Sequence, residues 1–378
     1  MRILIIRPMA IEININSYNC QELGLAKGFV DSGHECDVLF FSNEEKKIEV
    51  KYKDKIINIF YKTGKIKYKI NGIFDNLDSL VSNYDLVQMN EITQLQTINS
   101  LTNSKYKNKI YVYHGPYKNS HDSFKHKLFN IVFESKIKRL FKRENLKNIV
   151  FTKSNLASDY LETLGINSQV IGVGLDLTNL TNYTSGNYNP FELLYVGKLE
   201  ERRNILFIVE VLKKLIDIDE RYHLTIIGKG EKKYTSKIDN KIKELDLDDK
   251  ITIIDRVNQK QLIDYYISSG IFLLPTNYEI FGMVILESLY YGLPVITTLN
   301  GGSSVLKKGV YINNIDVNEW VNTIYKISSN YGIIQHDELK KYIVNNFVWD
   351  VLAKQIIQKM DIKAVFGGVD KWKHLKKQ

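Results

Sequence analysis

Two glutamates eight positions apart, Glu279 and Glu287, are the residues whose types and spacing most directly suggest chemistry. An apolar run over 271–274 ends at Pro275, and a helix is predicted to begin near Gly282. Glu279 would then lie in the loop at the carboxyl end of a strand, and Glu287 about one and a half turns into the helix. The helix N-terminus would attract an anion such as a diphosphate, and Glu287 could accept hydrogen bonds from a ribose diol.

The sequence around this glutamate pair resembles a known signature. Phe-Gly follows two residues after Glu279, and Gly292-Leu-Pro294-Val-Ile follows Glu287. Together these features resemble the E-x7-E signature of retaining glycosyltransferases of family 4, which have the GT-B fold. The alternative is an ordinary strand, loop and helix with two surface glutamates. The backbone N–H groups assigned to the donor site are those at the helix start: Phe281, Gly282, Met283 and Val284.

Two cations follow the first strand of the second half of the chain. The run from Gly197 and Lys198 to Arg203 resembles the family's G-R-L-x-x-x-K-[GN] element, whose cations hold the donor diphosphate. Lys198 takes the usual arginine place and Arg203 the usual lysine place, so both positions stay cationic, although lysine lacks the planar fork. Fixed cations can stabilise a departing nucleoside diphosphate without a metal. The alternative is a solvated basic turn.

The resemblance implies further site residues. Gly228, in a Gly-Lys-Gly turn after a strand, would lie below the nucleotide, and the backbone of Arg256 and Val257 would read the base. His114 would lie near the 6-hydroxyl of the sugar, and the turn at 300–303 would shape the sugar end of the site. Arg256 could instead be a surface cation, His114 a structural histidine, and the turn at 300–303 a plain flexible turn. The first loop, 16–18, lacks the two glycines that many relatives carry.

Apolar runs alternate with helical patterns twice along the chain, which is typical of an α/β protein. In the first half the predicted strands cover 2–6, 36–41, 85–89, 109–113 and 149–152, and the predicted helices 21–32 and 154–164. Short strands at 56–61 and 66–70 are predicted without a place in the sheet. In the second half the predicted strands cover 191–196, 223–227, 251–254, 271–274 and 294–297, and the helices 204–217, 237–245, 259–268 and 317–330.

A polar linker over 178–190 separates the two halves and predicts two domains. The expected fold is α/β of the GT-B type, with two facing Rossmann-like domains and a cleft between them. The predicted domains are an acceptor domain over 1–177, a sugar-nucleotide domain over 178–346, and a helical region over 347–378 that returns to the first domain, as the resemblance implies. Ligands of open α/β sheets bind beyond the carboxyl ends of the strands.

Composition limits the class of protein. The chain has 378 residues, 44% of them hydrophobic and 25% charged, as in soluble globular proteins of about two domains. Cys20 and Cys36 form no disulfide framework or metal spacing. No apolar run approaches the roughly 20 residues of a membrane-spanning helix, and the N-terminus has no signal-peptide core. We therefore expect a cytoplasmic protein, soluble or peripheral at the inner face of the cell membrane.

The net charge of +9 is concentrated over 118–147, a stretch that contains nine Lys and Arg residues and three acidic residues. Apolar residues recur through this stretch at roughly helical spacing. Such a basic amphipathic helix could contact an anionic membrane surface. The alternative is a solvated helix face over a core stripe. Nucleic acid is disfavoured as a partner, because no recognition module accompanies the charge.

We expect neither a metal nor another cofactor. Two Asp-x-Asp triplets, at 217–219 and 246–248, follow helical stretches and are interpreted as solvated helix ends, and no His/Cys cluster has metal spacing. The sequence therefore predicts a retaining glycosyltransferase that uses a UDP- or GDP-linked sugar as donor and a glycan or lipid-linked acceptor. Glu279, Lys198, Arg203 and His114 would act in catalysis. The alternatives are a GT-B epimerase or hydrolase, and a non-catalytic sugar-nucleotide-binding subunit. A Rossmann dehydrogenase lacks support, because no G-x-G-x-x-G follows the first strand.

Overall fold

The chain forms two compact units in the computed structural model, which describes residues 1–15, 20–119, 134–135, 137–142, 149–180, 183 and 186–360. Unit 1 comprises Met1–Gly174 and the chain from Trp349 onward, and unit 2 comprises Leu175–Val348. The chain thus passes between the units at 174/175 and 348/349, where the sequence analysis predicts 177/178 and 346/347. The basic stretch over 118–147 lies mostly outside the described residues, as does the loop at 16–18.

Unit 1 is built on an eight-stranded sheet in which every neighbouring pair is parallel except the edge pair β3–β4. The spatial order is β10-β9-β8-β7-β1-β2-β4-β3. The strands are β1 (Arg2–Arg7), β2 (Glu35–Phe41), β3 (Lys46–Tyr52), β4 (Lys55–Lys62), β7 (Leu86–Asn90), β8 (Ile110–His114), β9 (Val150–Thr152) and β10 (Gln169–Val170). Central strands such as β1 are nearly continuous apolar runs, because both faces of a parallel sheet are covered.

The remaining elements of unit 1 cover this sheet or project from it. A separate two-stranded hairpin is formed by β5 (Gly64–Lys67) and β6 (Asn71–Phe74). Among the described residues before 175, the α-helices include α1 (Gln21–Asp31), α2 (Leu77–Val81), α3 (Leu95–Asn103) and α4 (Asn155–Thr163), and residues 137–142 are also helical. The side chain of Ser154 caps α4 by accepting a hydrogen bond from the backbone N–H of Ala157 at 3.1 Å.

Unit 2 contains a six-stranded, fully parallel sheet in the order β13-β12-β11-β14-β15-β16. Its strands are β11 (Asn189–Val196), β12 (His223–Ile227), β13 (Ile251–Ile254), β14 (Ser269–Leu274), β15 (Val295–Thr297) and β16 (Val310–Ile312). Counted from β11, this is the Rossmann order 3-2-1-4-5-6. The direction of winding reverses between β11 and β14, so the loops after these two strands flank the place where ligands of such sheets bind.

The helices of unit 2 pack on this sheet through apolar stripes. They are α5 (Ile205–Ile216), α6 (Lys232–Glu244), α7 (Gln259–Ser268), α8 (Met283–Tyr290), α9 (Val317–Ser329) and α10 (His336–Asn346). In α5 the buried residues Ile205, Ile208, Val209 and Leu212 follow the helical period. Asn258 and Gln261 form a capping box at the start of α7, which fixes where that helix begins.

The last described helix, α11 (Trp349–Lys359), packs against α1 within unit 1. Its first residue, Trp349, lies in space that glycines leave open. A Cβ atom at Gly24 would lie 2.3 Å from the indole nitrogen of Trp349, and one at Gly174 would lie 2.6 Å from its Cδ2. Trp349 can therefore pack here only because Gly24 and Gly174 have no side chains.

Several helices and strands were predicted only in part or not at all from the sequence. The predicted short strand at 56–61 corresponds to β4, which joins the main sheet beside β2. Of the predicted strand at 66–70, residues 66–67 belong to β5, whereas residues 68–70 form the turn of the β5–β6 hairpin. No prediction covered β3, β6, α2 or α3 of unit 1, or β16 and α10 of unit 2. Within the described residues, no helix has the length and apolar character needed to cross a bilayer.

Candidate active site

Two glycines let the loops after β11 and β12 approach each other closely. A Cβ at Gly228 would lie 1.7 Å from the carbonyl oxygen of Gly197, and one at Gly230 would lie 2.3 Å from that of Leu199. The N–H of Leu199 donates to the carbonyl of Lys229 at 3.0 Å. Both glycines are thus required by backbone packing, and this packing fixes the loop that carries the predicted cations.

The loop after β11 is also tied to the loop after β14, across the point where the sheet reverses its winding. Asn204 adopts a left-handed conformation with φ of 51°. Its side-chain Nδ2 donates at 2.8 Å both to the carbonyl of Pro275 and to Oδ1 of Asn277. In return, the N–H of Asn277 donates to the carbonyl of Arg202 at 2.9 Å. Residues far apart in sequence are thereby held at one site.

This joining places Arg203 against Glu279. Nη2 of Arg203 forms an ion pair with Oε2 of Glu279, and both side chains are largely buried, with 14% and 17% of their surfaces exposed. Nη1 of Arg203 is buried and has no hydrogen-bond partner within the described part of the chain. A buried guanidinium N–H without an acceptor is unfavourable, so this atom is available for an anionic ligand.

Two residues missed by the sequence analysis complete this charged cluster. Nη2 of Arg202 lies 2.6 Å from Oε1 of Glu200, and its Nη1 donates to the carbonyl of Tyr278 at 2.7 Å. Nη1 of Arg202 is also 3.7 Å from Oε2 of Glu279. Both residues lie inside the motif recognised from the sequence, but the spacing alone does not say which side chains turn toward Glu279.

The structure does not bring Lys198 into the ion pair with Arg203 and Glu279. Lys198 is exposed and lines a cavity of about 640 Å³ beside the loops after β11 and β12. Glu200 also lines this cavity, so the cavity adjoins the arginine cluster. The charged residues of its wall are Lys198, Lys229, Lys233, Lys237, Glu200, Glu201 and Glu231.

The second glutamate, Glu287, is fully buried in α8. Its Oε2 accepts a hydrogen bond from the hydroxyl of Tyr266 at 3.2 Å, a contact that no local sequence pattern indicates. Helix α8 begins after Gly282, whose φ of 83° favours glycine. Phe281 is buried, and the N–H groups from Phe281 to Val284 stand at the start of the helix, where no intrahelical acceptor precedes them.

The turn at 300–303 is an ordered, buried element. Asn300 is fully buried and donates through Nδ2 to Oγ1 of Thr297 and to the carbonyl of Thr298, both at 2.9 Å. A Cβ at Gly301 would lie 1.7 Å from the carbonyl oxygen of Ile280, and one at Gly302 would lie 2.0 Å from that of Phe281. These glycines let the turn pack on the loop that carries Glu279, so the alternative of a flexible turn is wrong.

Arg256 and Val257 follow β13, the edge strand two positions away from β11. Arg256 is exposed and Val257 is half-buried. Their assignment to the nucleotide base therefore stays a prediction.

In unit 1, His114 belongs to a buried charged triad with two residues that the sequence analysis missed. His114 is the last residue of β8 and is fully buried, and its Nδ1 lies 2.9 Å from Oε2 of Glu91. Oε1 of Glu91 is 3.3 Å from the ammonium of Lys153, and its Oε2 accepts a hydrogen bond from the N–H of Gly115 at 3.0 Å. Both ring nitrogens of His114 are buried, and within the described residues neither has a partner in hydrogen-bond geometry, although Nδ1 is in close contact with Glu91. The sequence feature that could have indicated Glu91 is its position as a charged residue directly after a buried strand.

The triad makes the stability of unit 1 depend on pH. Burial raises the pKa of the Glu91 carboxyl, but the charge of Lys153, the close contact with His114 and the hydrogen bond from Gly115 outweigh it and lower that pKa from 4.5 to about 2. Because the folded pKa is lowered, the stabilisation is present above about pH 4.5 and is lost as the pH falls toward 2. It amounts to about 3 kcal/mol.

We therefore expect Glu91→Gln to lower the free energy of unfolding at pH 7, and the gap to the parent protein to shrink between pH 4.5 and 3. Denaturant unfolding at several pH values measures this gap. The matched control is Glu162→Gln, an exposed glutamate on α4, for which the gap should not change with pH. A gap for Glu91→Gln that stays constant over the whole range would contradict the role given to the triad.

The described residues contain no group of three or more His, Cys, Asp or Glu side chains that could hold a metal ion. Asp217 directly follows α5, and Asp246 and Asp248 lie just after α6 and are exposed, in line with their interpretation as helix ends.

Comparison with known proteins identifies the domain that carries the charged cluster. The family described as Glycosyl transferases group 1 matches residues 184–347, which lie within unit 2. Unit 2 thus resembles a group 1 glycosyltransferase domain over these residues. The Arg203–Glu279 pair and the N-terminus of α8 both lie within the matched region.

Curated relatives of the group 1 domain are distant and match only in part. An uncharacterized glycosyltransferase of Methanocaldococcus jannaschii is 23% identical over 227 residues, covering 57% of each chain. A probable sucrose-phosphate synthase of Thermosipho melanesiensis is 27% identical over 176 residues, covering 45% of this chain and 41% of the relative. The chain thus matches about half the length of these curated relatives.

Solved structures match over nearly the whole chain and show the fold. A sucrose-phosphate synthase from Thermosynechococcus elongatus has a TM-score of 0.67 at 16% identity, covering 94% of this chain and 97% of its own. The apo form of the lipopolysaccharide outer core galactosyltransferase WaaB has a TM-score of 0.66 at 18% identity, covering 98% and 100%. Anabaena HepE in complex with UDP has a TM-score of 0.67 at 14% identity, covering 95% and 99%. The chain has the GT-B fold, as the sequence predicts, with two Rossmann-like units.

Proposed function

We propose that the chain is a retaining, metal-independent glycosyltransferase that moves a hexose from a UDP- or GDP-linked donor to a glycan or lipid-linked acceptor in cell-surface polysaccharide synthesis. The observation that carries this proposal is the Arg203–Glu279 pair, held at the topological switch point of a group 1 glycosyltransferase domain. Anabaena HepE, a protein of similar fold, has been solved in complex with UDP-glucose.

The donor would bind through its diphosphate. The available Nη1 of Arg203 donates to a phosphate oxygen, and the N–H groups at the start of α8 approach the same anion. Lys198, exposed on the adjoining cavity wall, adds a second cation that can turn toward the phosphates. Gly197 and Gly228 keep the loop backbones close together beneath the nucleotide. Glu287 binds the ribose, and the backbone of Arg256 and Val257 reads the base.

The transfer breaks the bond between the anomeric carbon and the diphosphate oxygen and forms a bond to an acceptor oxygen on the same face. Negative charge grows on the departing diphosphate, where Arg203 and the α8 N-terminus stabilise it. Positive charge grows at the anomeric carbon, where the Glu279 carboxylate stabilises it and also contacts sugar hydroxyls. The departing phosphate oxygen accepts the proton of the acceptor hydroxyl. His114 donates through Nε2 to a hydroxyl of the sugar.

A screen of nucleotide sugars tests this function. Purified protein is incubated with each UDP- and GDP-sugar, and release of the nucleoside diphosphate is followed by mass spectrometry, with and without EDTA. We expect slow hydrolysis of one donor, faster turnover when an acceptor is added, and no loss of activity in EDTA. Nuclear magnetic resonance of the product should show that the anomeric configuration is kept.

Other outcomes of this screen support the rival functions. Conversion of the donor to an isomer, or hydrolysis that no acceptor accelerates, would indicate an epimerase or hydrolase. Donor binding without any turnover would indicate a non-catalytic partner subunit. Neither binding nor turnover with any nucleotide sugar would contradict the proposed function altogether.

A further inference from the structure

The turn of the β5–β6 hairpin carries an unusual exposed surface, here called the hairpin tip and defined as residues 65–70. All six residues are exposed, and lysine alternates with an apolar or aromatic residue throughout: Lys65, Ile66, Lys67, Tyr68, Lys69 and Ile70. The exposed fractions are 49% for Ile66, 64% for Tyr68 and 46% for Ile70. Clustered apolar groups of this kind indicate an interaction surface, whereas single exposed ones do not.

The base of the hairpin is held firmly in unit 1, so the tip is presented on a fixed support. The N–H of Leu95 donates to Oδ1 of Asn71 at 3.0 Å, and the N–H of Gly72 donates to the carbonyl of Pro8 at 2.8 Å. A Cβ at Gly72 would lie 2.2 Å from the ring of Phe41, so this strand packs directly on the core. The tip is therefore exposed although its base is anchored.

A second segment extends the apolar surface of the hairpin tip. The N–H of Ala10 donates to the carbonyl of Ile70 at 2.9 Å, which brings the next residue, Ile11, alongside the tip. Ile11 is 48% exposed. Residues 64–74 include three lysines and no acidic residue. The neighbouring Glu12 is ion-paired with Lys46 at 3.1 Å, which offsets its charge.

We infer that the hairpin tip, with Ile11, docks on an anionic lipid bilayer. The three isoleucines are suited to the apolar boundary of the bilayer, Tyr68 to the headgroup level, and the three lysines to lipid phosphates. Single-stranded nucleic acid is disfavoured, because binding it requires several aromatic faces for base stacking and the tip has only Tyr68. This docking is independent of the proposed function, since it needs no sugar nucleotide.

Vesicle co-sedimentation tests the docking. The full-length parent should bind vesicles of phosphatidylcholine with phosphatidylglycerol and not vesicles of phosphatidylcholine alone, and binding should weaken as salt is raised. Replacing the three lysines of the tip with Gln should lower the partition coefficient on the order of a hundredfold at low salt. Replacing Ile66, Tyr68 and Ile70 with Ser should lower it on the order of tenfold or more, and this loss should persist at high salt.

The matched control removes equally exposed residues from unit 2. Ile218, Tyr325 and Ile333 are 54%, 47% and 78% exposed, and their replacement with Ser should leave vesicle binding unchanged. Tyr68→Trp supplies a direct readout, because a tryptophan at the headgroup level should be quenched by brominated lipid. Circular dichroism of every variant confirms that the hairpin changes leave the fold intact.

Several results would overturn the inference. One is a parent that ignores anionic vesicles at low salt, and another is a tip variant that binds as well as the parent. A third is loss of binding only when Lys136, Lys138, Arg139, Lys142 and Arg143 are replaced with Gln, since the basic stretch over 118–147 would then be the membrane contact. Salt-sensitive binding of the tip to single-stranded RNA in place of vesicles would assign the surface to nucleic acid.

Discussion

Replacing Glu279 with Gln should lower the turnover number by roughly a hundred- to a thousandfold and change the apparent donor constant little. The substitution keeps the size of the side chain and removes its charge. That charge matters most when positive charge develops at the anomeric carbon, so its loss should affect the transition state more than the bound donor. Steady-state kinetics with the donor found by the nucleotide-sugar screen measure both quantities.

Glu287 provides the contrast, because its assigned partner is the ribose, which does not change during the reaction. Glu287→Gln should raise the apparent donor constant and leave the turnover number close to that of the parent. Glu210→Gln, on an exposed part of α5, is the control and should change neither. If both Glu279→Gln and Glu287→Gln altered only the donor constant, the division of roles between the two glutamates would be wrong.

Arg203→Ala should weaken binding of the donor and of the free nucleoside diphosphate by about 1.5–3 kcal/mol, which corresponds to roughly ten- to a hundredfold in Kd. The substitution removes the buried N–H groups assigned to the phosphates. It also removes the charge that Arg203 places beside the Glu279 carboxylate, so this carboxylate would repel the bound diphosphate more strongly. Lys198→Ala should also weaken both ligands. Isothermal titration calorimetry with the nucleoside diphosphate measures the loss without any need for turnover.

Arg202 is the matched control for Arg203. It is the adjacent arginine and is 42% exposed. It interacts with Glu200 and with a backbone carbonyl, and it reaches Glu279 only at 3.7 Å, whereas Arg203 forms a close ion pair with that carboxylate. Arg202→Ala should therefore cost much less affinity than Arg203→Ala. Arg203→Lys should recover part of the lost affinity, because the charge returns without the planar fork. Unchanged calorimetric affinity in both Arg203→Ala and Lys198→Ala would remove the diphosphate assignment.

The sequence predicted unit 2 more closely than unit 1, for a physical reason. Strand β12 and helix α7 have the predicted bounds, since β12 is largely buried and α7 is capped by Asn258. Strand β13 also has the predicted bounds, although it is a partly exposed edge strand. Strand β16 is mostly exposed and β3 is an edge strand, so neither carries a buried apolar run. The alternating apolar residues at 66–70 follow the pattern of a strand, but they belong to the exposed hairpin tip.

Within the candidate site, the sequence identified the residues but not their pairing. Arg203 and Glu279 are 76 positions apart, and their contact depends on β14 lying next to β11, a strand order that local patterns do not contain. Likewise Glu91 follows β7 and Lys153 follows β9, and they meet across the end of β8. The hydrogen bond from Tyr266 to Glu287 depends on how α7 packs near α8, which one sequence does not reveal.

The packing of Trp349 against Gly24 and Gly174 affects the order in which the two units can complete their folding. Unit 2 is one uninterrupted stretch, Leu175–Val348, whereas unit 1 lacks α11 until the chain beyond residue 348 has been synthesised. During translation, the space beside Gly24 and Gly174 therefore stays unfilled until Trp349 has been made, by which point unit 2 has its full sequence. Since domains fold as units during synthesis, we expect the core of unit 1 to be completed after that of unit 2.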